Sequence, residues 1–441
     1  MRLSNVLTRS VYVTAISLAG SAFGFALQLI LAAKFGLGRE VDAYFYSMSL
    51  PLFVAGLVGI MLSYVVVPQI VIREANDAGQ DEYAQDIANG TVIAATIIGF
   101  LGVLLSGFET NSLPSGAAII STPNLRPLLA MAWLASAGQI VLSSYSSILN
   151  GYRKHMLASA ILLGAPLGAI VAAALFAESV GVYIIPAGNL LGSFVAIMGV
   201  LYFANLRIRI FAPRIGVLRS VKLTLADAPY TAMAMSCFSI YAVIDAFWGP
   251  RAGPGALSVL SYSHRVLIAT GNLIVVGPSA ILIPHLAAHV RNGGVAEFRK
   301  LFLRIIFIVA IGAGALALML FELAPWLVHE LFVHSAFTVG NAVELAGTIR
   351  RMAFGMLCML ISVVALRALY CLPNVRVIGA IAGVGWALLY FALSARFHRQ
   401  GADGIAAAYS ATWMIFCSVA VFVVYMRASR IAVNFPISSP D

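Results

Sequence analysis

Arg265 stands in "LSYSHRVLIATGN" (260–272), ahead of the apolar run "LIVVGPSAILIPHL", so a guanidinium is placed where water is scarce. Ionisable residues in apolar spans cost several kcal/mol unless they face a wet cavity or a partner. The planar fork of arginine matches phosphate oxygens two at a time, so a phosphate-bearing ligand is the chemistry this position suits. Tyr262 and His264 beside it could add hydrogen bonds. The bland alternative is a structural ion pair with one of two acids in similar runs. Asp42, in "REVDAYFYSMSLP", reads as a helix cap, an interfacial residue or a gating partner for a basic group. Asp245, in "IYAVIDAFWG", reads as an interfacial acid or as a residue coupling transport to a proton or cation.

Those residues must be held by membrane-spanning helices. The chain has 441 residues, 61% hydrophobic and only 10% charged, with a mean hydropathy of +0.96, whereas soluble domains carry roughly 25% charged residues. Strand-type alternation is absent, and a helix satisfies its own backbone in lipid, so the expected class is an all-α integral membrane protein. The first apolar run follows Arg2 and Arg9 and is too long for the core of a signal peptide, so it reads as a retained helix.

Apolar stretches between polar breaks number about twelve. In the first half they cover 10–34, 41–71, 87–108, 125–149, 156–177 and 181–203; in the second, 224–249, 256–288, 303–324, 346–371, 376–395 and 403–426. With the N-terminus cytoplasmic, the inner side holds about twice as many Lys and Arg as the outer, which places both termini inside. Arg265 then lies roughly 13 Å deep from the outer end of its helix, too far for easy snorkelling. Arg367, about a turn from the inner end of its span, can snorkel, and Asp227 suits the start of the seventh helix.

The basic stretch "NLRIRIFAPRIGVLRSVK" (205–222) follows the sixth span and suits a segment on the anionic inner leaflet. It divides the chain into a six-helix lobe (1–204), a cytoplasmic linker (205–222) and a second six-helix lobe (223–441). Aligning "YVVVPQI" (64–70) with "AILIPHL" (280–286) gives an offset of 216, which also matches Tyr46 to Tyr262, Ser47 to Ser263, Pro68 to Pro284 and Ser49 to Arg265. Parallel repeats of this kind imply a central cavity between the lobes. Ser49 therefore joins the candidate binding residues, and Pro51, Pro68 and Pro284 are expected to break their helices.

Other features speak for packing. Gly20 and Gly24, Gly164 and Gly168, and Gly379 and Gly383 have the spacing that lets helices approach closely. Cys237, Cys358, Cys371 and Cys417 sit in apolar runs with no C-x-x-C spacing. His329, Glu330 and His334 make only a weak metal signal. The phosphate-binding, zinc-protease and serine-hydrolase signatures are missing, so no enzyme activity, cofactor or metal is expected. The net charge of +10 is spread over short loops rather than along one face, which argues against nucleic acid.

"AAKFGLGREVDAYFYSMSLPLF", "SYVVVPQI" and "SVLSYSHRVLIATGNLIVVGPSAILIPHL" resemble the MurJ (MviN) lipid II flippases of the multidrug/oligosaccharidyl-lipid/polysaccharide exporter superfamily. The likeness is sharpest over 20–72 and 255–290. It implies transfer of a polyprenyl-diphosphate-linked saccharide from the inner to the outer leaflet of the bacterial cytoplasmic membrane by alternating access, for peptidoglycan or surface polysaccharide. It also implies that Arg265 holds the diphosphate and that Asp42 is the aspartate of the D-A-[FY]-F segment. This sequence departs from the pattern at Ser21, Leu27 and Ala55, where the family is basic, at His264, where relatives often have aspartate, and in showing about twelve helices rather than fourteen. The alternative is a cation-coupled multidrug exporter, which would need an essential cavity carboxylate; Asp245 is the candidate.

Overall fold

A computed structural model of the chain describes residues 3–75, 79–111, 125–203, 230, 232–271, 295–372 and 375–434. Within them the helices are α1 (Leu3–Phe35), α2 (Arg39–Ala75), α3 (Gln80–Asn111), α4 (Leu125–Gly151), α5 (His155–Ile161), α6 (Gly164–Val180) and α7 (Ile184–Phe203). They continue with α8 (Tyr241–Ala252), α9 (256–271), α10 (Val295–Phe332), α11 (Val339–Leu369), α12 (Arg376–Phe397) and α13 (Ala402–Asn434). The described residues contain no strand. Each of the twelve expected stretches falls, in full or in part, on helical backbone. The linker 205–222, Asp227 and Pro284 lie outside the described residues.

Among the described residues nine stretches are long and apolar enough to cross a membrane, so the chain is a multi-pass membrane protein. One of them, His155–Tyr202, is a hairpin rather than a single span. Gly181 turns it with a φ of 75°, and α6 and α7 then pack along each other. A Cβ on Gly168 would lie 2.2 Å from the Gly188 carbonyl oxygen, so the backbones touch there as the glycine spacing predicts. Gly383 likewise meets the Met233 carbonyl. Gly24, by contrast, has nothing within 4 Å; it and Gly20 border a cavity.

Several local outcomes differ from expectation. The fifth stretch is interrupted between α5 and α6 at Leu162 and Leu163. Pro166, four residues on, cannot donate to the Leu162 carbonyl and crowds it, which accounts for the break. The seventh stretch bends by 47° between Ala232–Phe238 and α8. There the Ser236 hydroxyl donates to the Met233 carbonyl and the Cys237 thiol to the Ala234 carbonyl, drawing acceptors away from the helical ladder. Conversely, α2 runs unbroken through Pro51 and Pro68, since neighbouring helices support prolines in membrane helices.

The helices form two packing groups. In the first, α2 and α3 pack on α4, α4 on α7, and α1 on α5 and α6; in the second, α10 and α13 pack on α11, and α12 on α13 and α8. The groups meet through α2 against α8 and α1 against α10. The junction is at one end of the bundle, where the turns after α1, α8 and α10 converge. Phe25 lies 6.0 Å from Phe332, Phe45 5.4 Å from Tyr262, and the Ala336 amide donates to the Ala33 carbonyl. A single apolar core runs through both groups at this end, while the first group keeps a separate core of its own around Val66, Ile70 and Tyr145.

Candidate functional site

Helix α9 places four consecutive residues in four environments. Tyr262 is fully buried; its ring packs 5.4 Å from Phe45 and 5.8 Å from Phe332, and its hydroxyl donates to the Gly36 carbonyl at 3.4 Å. It belongs to the closed junction and lines neither cavity, in contrast to its expected place in a binding site. Ser263 is buried as well. His264 turns into the second helix group. Arg265 alone is exposed, and it borders both cavities that lie between the groups.

The smaller cavity, 150 Å³, is polar on one side: Ser49 from α2, Ser239, Tyr241 and Asp245 from the seventh stretch, and His264 and Arg265 from α9. Ser49 and Arg265, matched by the repeat, thus face one space from opposite groups. The larger, 380 Å³, is apolar apart from Ser21, Ser159 and Arg265; Ile16, Leu162, Leu163 and Ile268 form its walls. The break between α5 and α6 therefore contributes directly to a cavity wall.

Neither acid pairs with Arg265. Asp42, 1% exposed, accepts three hydrogen bonds from the opposite group: Gly255 N–H at 2.6 Å, Ser258 N–H at 2.7 Å and the Ser258 hydroxyl at 2.5 Å. It caps the N-terminus of α9 from another helix, where the helix dipole favours a negative charge. A buried carboxylate costs several kcal/mol when left unpaired, and these donors offset that cost. Of the readings open for Asp42, the contacts are those of a cap, made to another helix through backbone amides and a hydroxyl. Asp42 and Ser258 are themselves 216 apart, the offset of the sequence match, so two positions that the match pairs lie in contact. The repeat offset carried that signal; hydropathy did not.

Asp245, 2% exposed, has both oxygens engaged. One lies 2.8 Å from His264 Nε2, and the other accepts from the Tyr390 hydroxyl of α12. The His264 ring is stacked at a tilt on Tyr241 (4.1 Å) and meets Tyr409 of α13 edge-on (4.8 Å). Neither Tyr390 nor Tyr409 stood out in the sequence, because a tyrosine in an apolar run reads as packing. Among the described residues Arg265 has no hydrogen bond or ion pair. The site presents one unpaired guanidinium to two cavities, flanked by a closed Asp–His–Tyr network. Such an arrangement can bind an anion.

The positions where the resembled family is basic are neutral in distinct ways. Ser21 borders the apolar cavity with Arg265, whereas Leu27 and Ala55 are buried in protein. The described residues hold no group of three metal-ligating side chains, and His329 and Glu330 form an exposed pair at 3.7 Å. The four cysteines are free.

A sequence profile described as "Lipid II flippase MurJ" matches residues 31–436. The chain belongs to the MurJ lipid II flippase family. A MurJ relative, the "Probable lipid II flippase MurJ" of Buchnera aphidicola subsp. Acyrthosiphon pisum (strain APS), is 22% identical over 399 residues, spanning 85% of this chain and 75% of that one. Among solved structures, "Lipid II flippase MurJ, inward closed conformation" superposes with a TM-score of 0.75 at 19% identity, over 96% of this chain and 90% of the other. An inward-facing multidrug resistance MATE transporter of the MOP superfamily also reaches 0.75, at 15% identity, over 98% of this chain and all of that one. The MurJ fold is thus shared with drug exporters, and the sequence profile is what separates the branches.

Proposed function

We propose that this MurJ family member moves a polyprenyl-diphosphate-linked saccharide from the inner to the outer leaflet of the bacterial cytoplasmic membrane by alternating access. The observation that carries this reading is Arg265, whose guanidinium faces both cavities while the nearby acids are engaged elsewhere. The diphosphate sits on Arg265, the first sugar enters the polar cavity beside Ser49 and Tyr241, and the lipid chain leaves through the apolar cavity between α1 and α9. The lobes are residues 1–204 and 223–441. With both termini cytoplasmic, as the distribution of basic residues favours, the closed junction around Asp42 faces outward and is the gate that must open for release. The family's printed substrate makes lipid II the first cargo to test. The neutral residues at 21, 27 and 55 leave Arg265 as the one guanidinium bordering these cavities among the described residues, and this favours trying lipid-linked precursors of other surface glycans beside it.

Arg265→Ala is expected to abolish flipping of lipid II in proteoliposomes while the protein still inserts and elutes as the folded form, and Arg265→Lys to keep a fraction of the rate, because an ammonium lacks the fork. Normal transport by the alanine variant would overturn the role. The drug-exporter reading needs a free cavity carboxylate; the engagement of Asp245 by His264 and Tyr390 weighs against it.

A further inference from the structure

We infer that Asp245 and His264 form a proton-binding site that sets the anion affinity of Arg265; this rests on the proposed binding of a diphosphate at that arginine. Three observations lead there. His264 and Arg265 are adjacent on α9, so a change at one ring is felt by the next side chain. Asp245 lines the same 150 Å³ cavity as Arg265 and is 2.8 Å from His264 Nε2. Both acid oxygens are already taken by His264 and Tyr390, and aromatic rings cover the imidazole faces. A proton is therefore the ion this closed network can accept without rebuilding.

The charge count gives the direction of the effect. When His264 is neutral and donates Nε2–H, the pair carries the single negative charge of Asp245, which lines the same cavity and repels an anion approaching Arg265. When His264 takes a proton at its other ring nitrogen, the pair becomes a neutral imidazolium–carboxylate, and the site as a whole gains one positive charge. A fixed dianion then binds more tightly, and by linkage the bound dianion raises the proton occupancy in the same measure. The groups facing His264 are Tyr241 from the seventh stretch, Asp245 from α8, Tyr390 from α12, Tyr409 from α13 and Arg265 from its own helix. Across the cavity α2 presents Phe45, Met48 and Ser49, with no charge, and Asp42 lies about two turns away at the N-terminus of α9.

The test uses the full chain in nanodiscs and geranylgeranyl-diphospho-N-acetylglucosamine as probe. Its diphosphate is esterified at both ends and lacks the ionisation near about pH 6 of a terminal phosphate, so the ligand's charge stays fixed. Affinity is measured by tryptophan fluorescence from about pH 8 to about pH 5.5, the window around the ordinary histidine value. The wild type is expected to bind about tenfold more tightly at the acid end, a change of about 1.4 kcal/mol. His264→Gln should bind weakly at every pH, and Asp245→Asn tightly at every pH, since the competing carboxylate is gone. A purely structural role would weaken both variants alike. A pH-independent wild type, or pH dependence retained in His264→Gln, overturns the inference and leaves the diphosphate reading standing. Arg265→Ala with undiminished affinity overturns that reading itself.

Discussion

The interiors of the two helix groups are built from different polar chemistry. In the first, apart from Asp42 at the junction and the buried Asp86 of α3, hydroxyls and amides answer one another: Ser63 and Ser147 at 3.1 Å, the Ser144 hydroxyl donating to Thr91, the Gln139 amide to Asn189. In the second, Asp245, His264 and Arg265 carry charge or can acquire it. The two positions that the sequence match pairs, Ser49 and Arg265, border one cavity with charge on one side only. Neutral hydrogen bonds between membrane helices contribute modestly and do not respond to pH or to an anion. A cation on one wall of the cavity attracts an anion to that wall and leaves the other to accommodate the rest of the molecule.

This contrast can be broken outright by moving the charge. Arg265→Ser should lower diphosphate binding by at least a hundredfold, in line with the loss of a charge-assisted, bidentate contact. Adding Ser49→Arg to that variant should recover part of the affinity, because both positions border one cavity; no recovery in a binding titration would show that the second group supplies more than a charge. The next effect is at the gate. Asp42→Asn removes the ionised acceptor and should cost about 2 kcal/mol of closure, read as faster thiol labelling of a cysteine placed at Ala43. Ser258→Ala leaves the two backbone donors in place and should cost about 1 kcal/mol in the same assay. The smallest effect is expected in the neutral interior, where Ser144→Ala should lower thermal stability by about 0.6 kcal/mol without altering transport. A transport defect there would erase the distinction between the groups.

Apolar stretches and isolated charges were legible in the sequence because lipid imposes a strong rule on both. Among the described residues the helix boundaries lie within eight residues of those expected, and Arg265 could be recognised as out of place. The partners of Asp42 were hidden, since Gly255 N–H and Ser258 have no hydropathic signature and act from the other half of the chain. Tyr262 was expected beside the ligand because it neighbours Arg265, yet it sits about one turn nearer the start of α9, where Phe45 of α2 and Phe332 of α10 close over it. The break at Leu162 was readable after all: Pro166 in "LLGAPLG" marks it, but a continuous apolar run masked the cue. The Asp245–Tyr390 bond joins residues 145 apart and could only be found once α8 and α12 were side by side.

The hydrogen bond between Asp42 and Ser258 has an implication for symmetry. In a dimer of identical halves, a residue on the axis meets its own copy. Two aspartates there would repel each other, and two serines would offer no charged acceptor to the helix start. Acid against hydroxyl at that place requires two halves of unlike sequence, and this chain supplies Asp42 from one and Ser258 from the other.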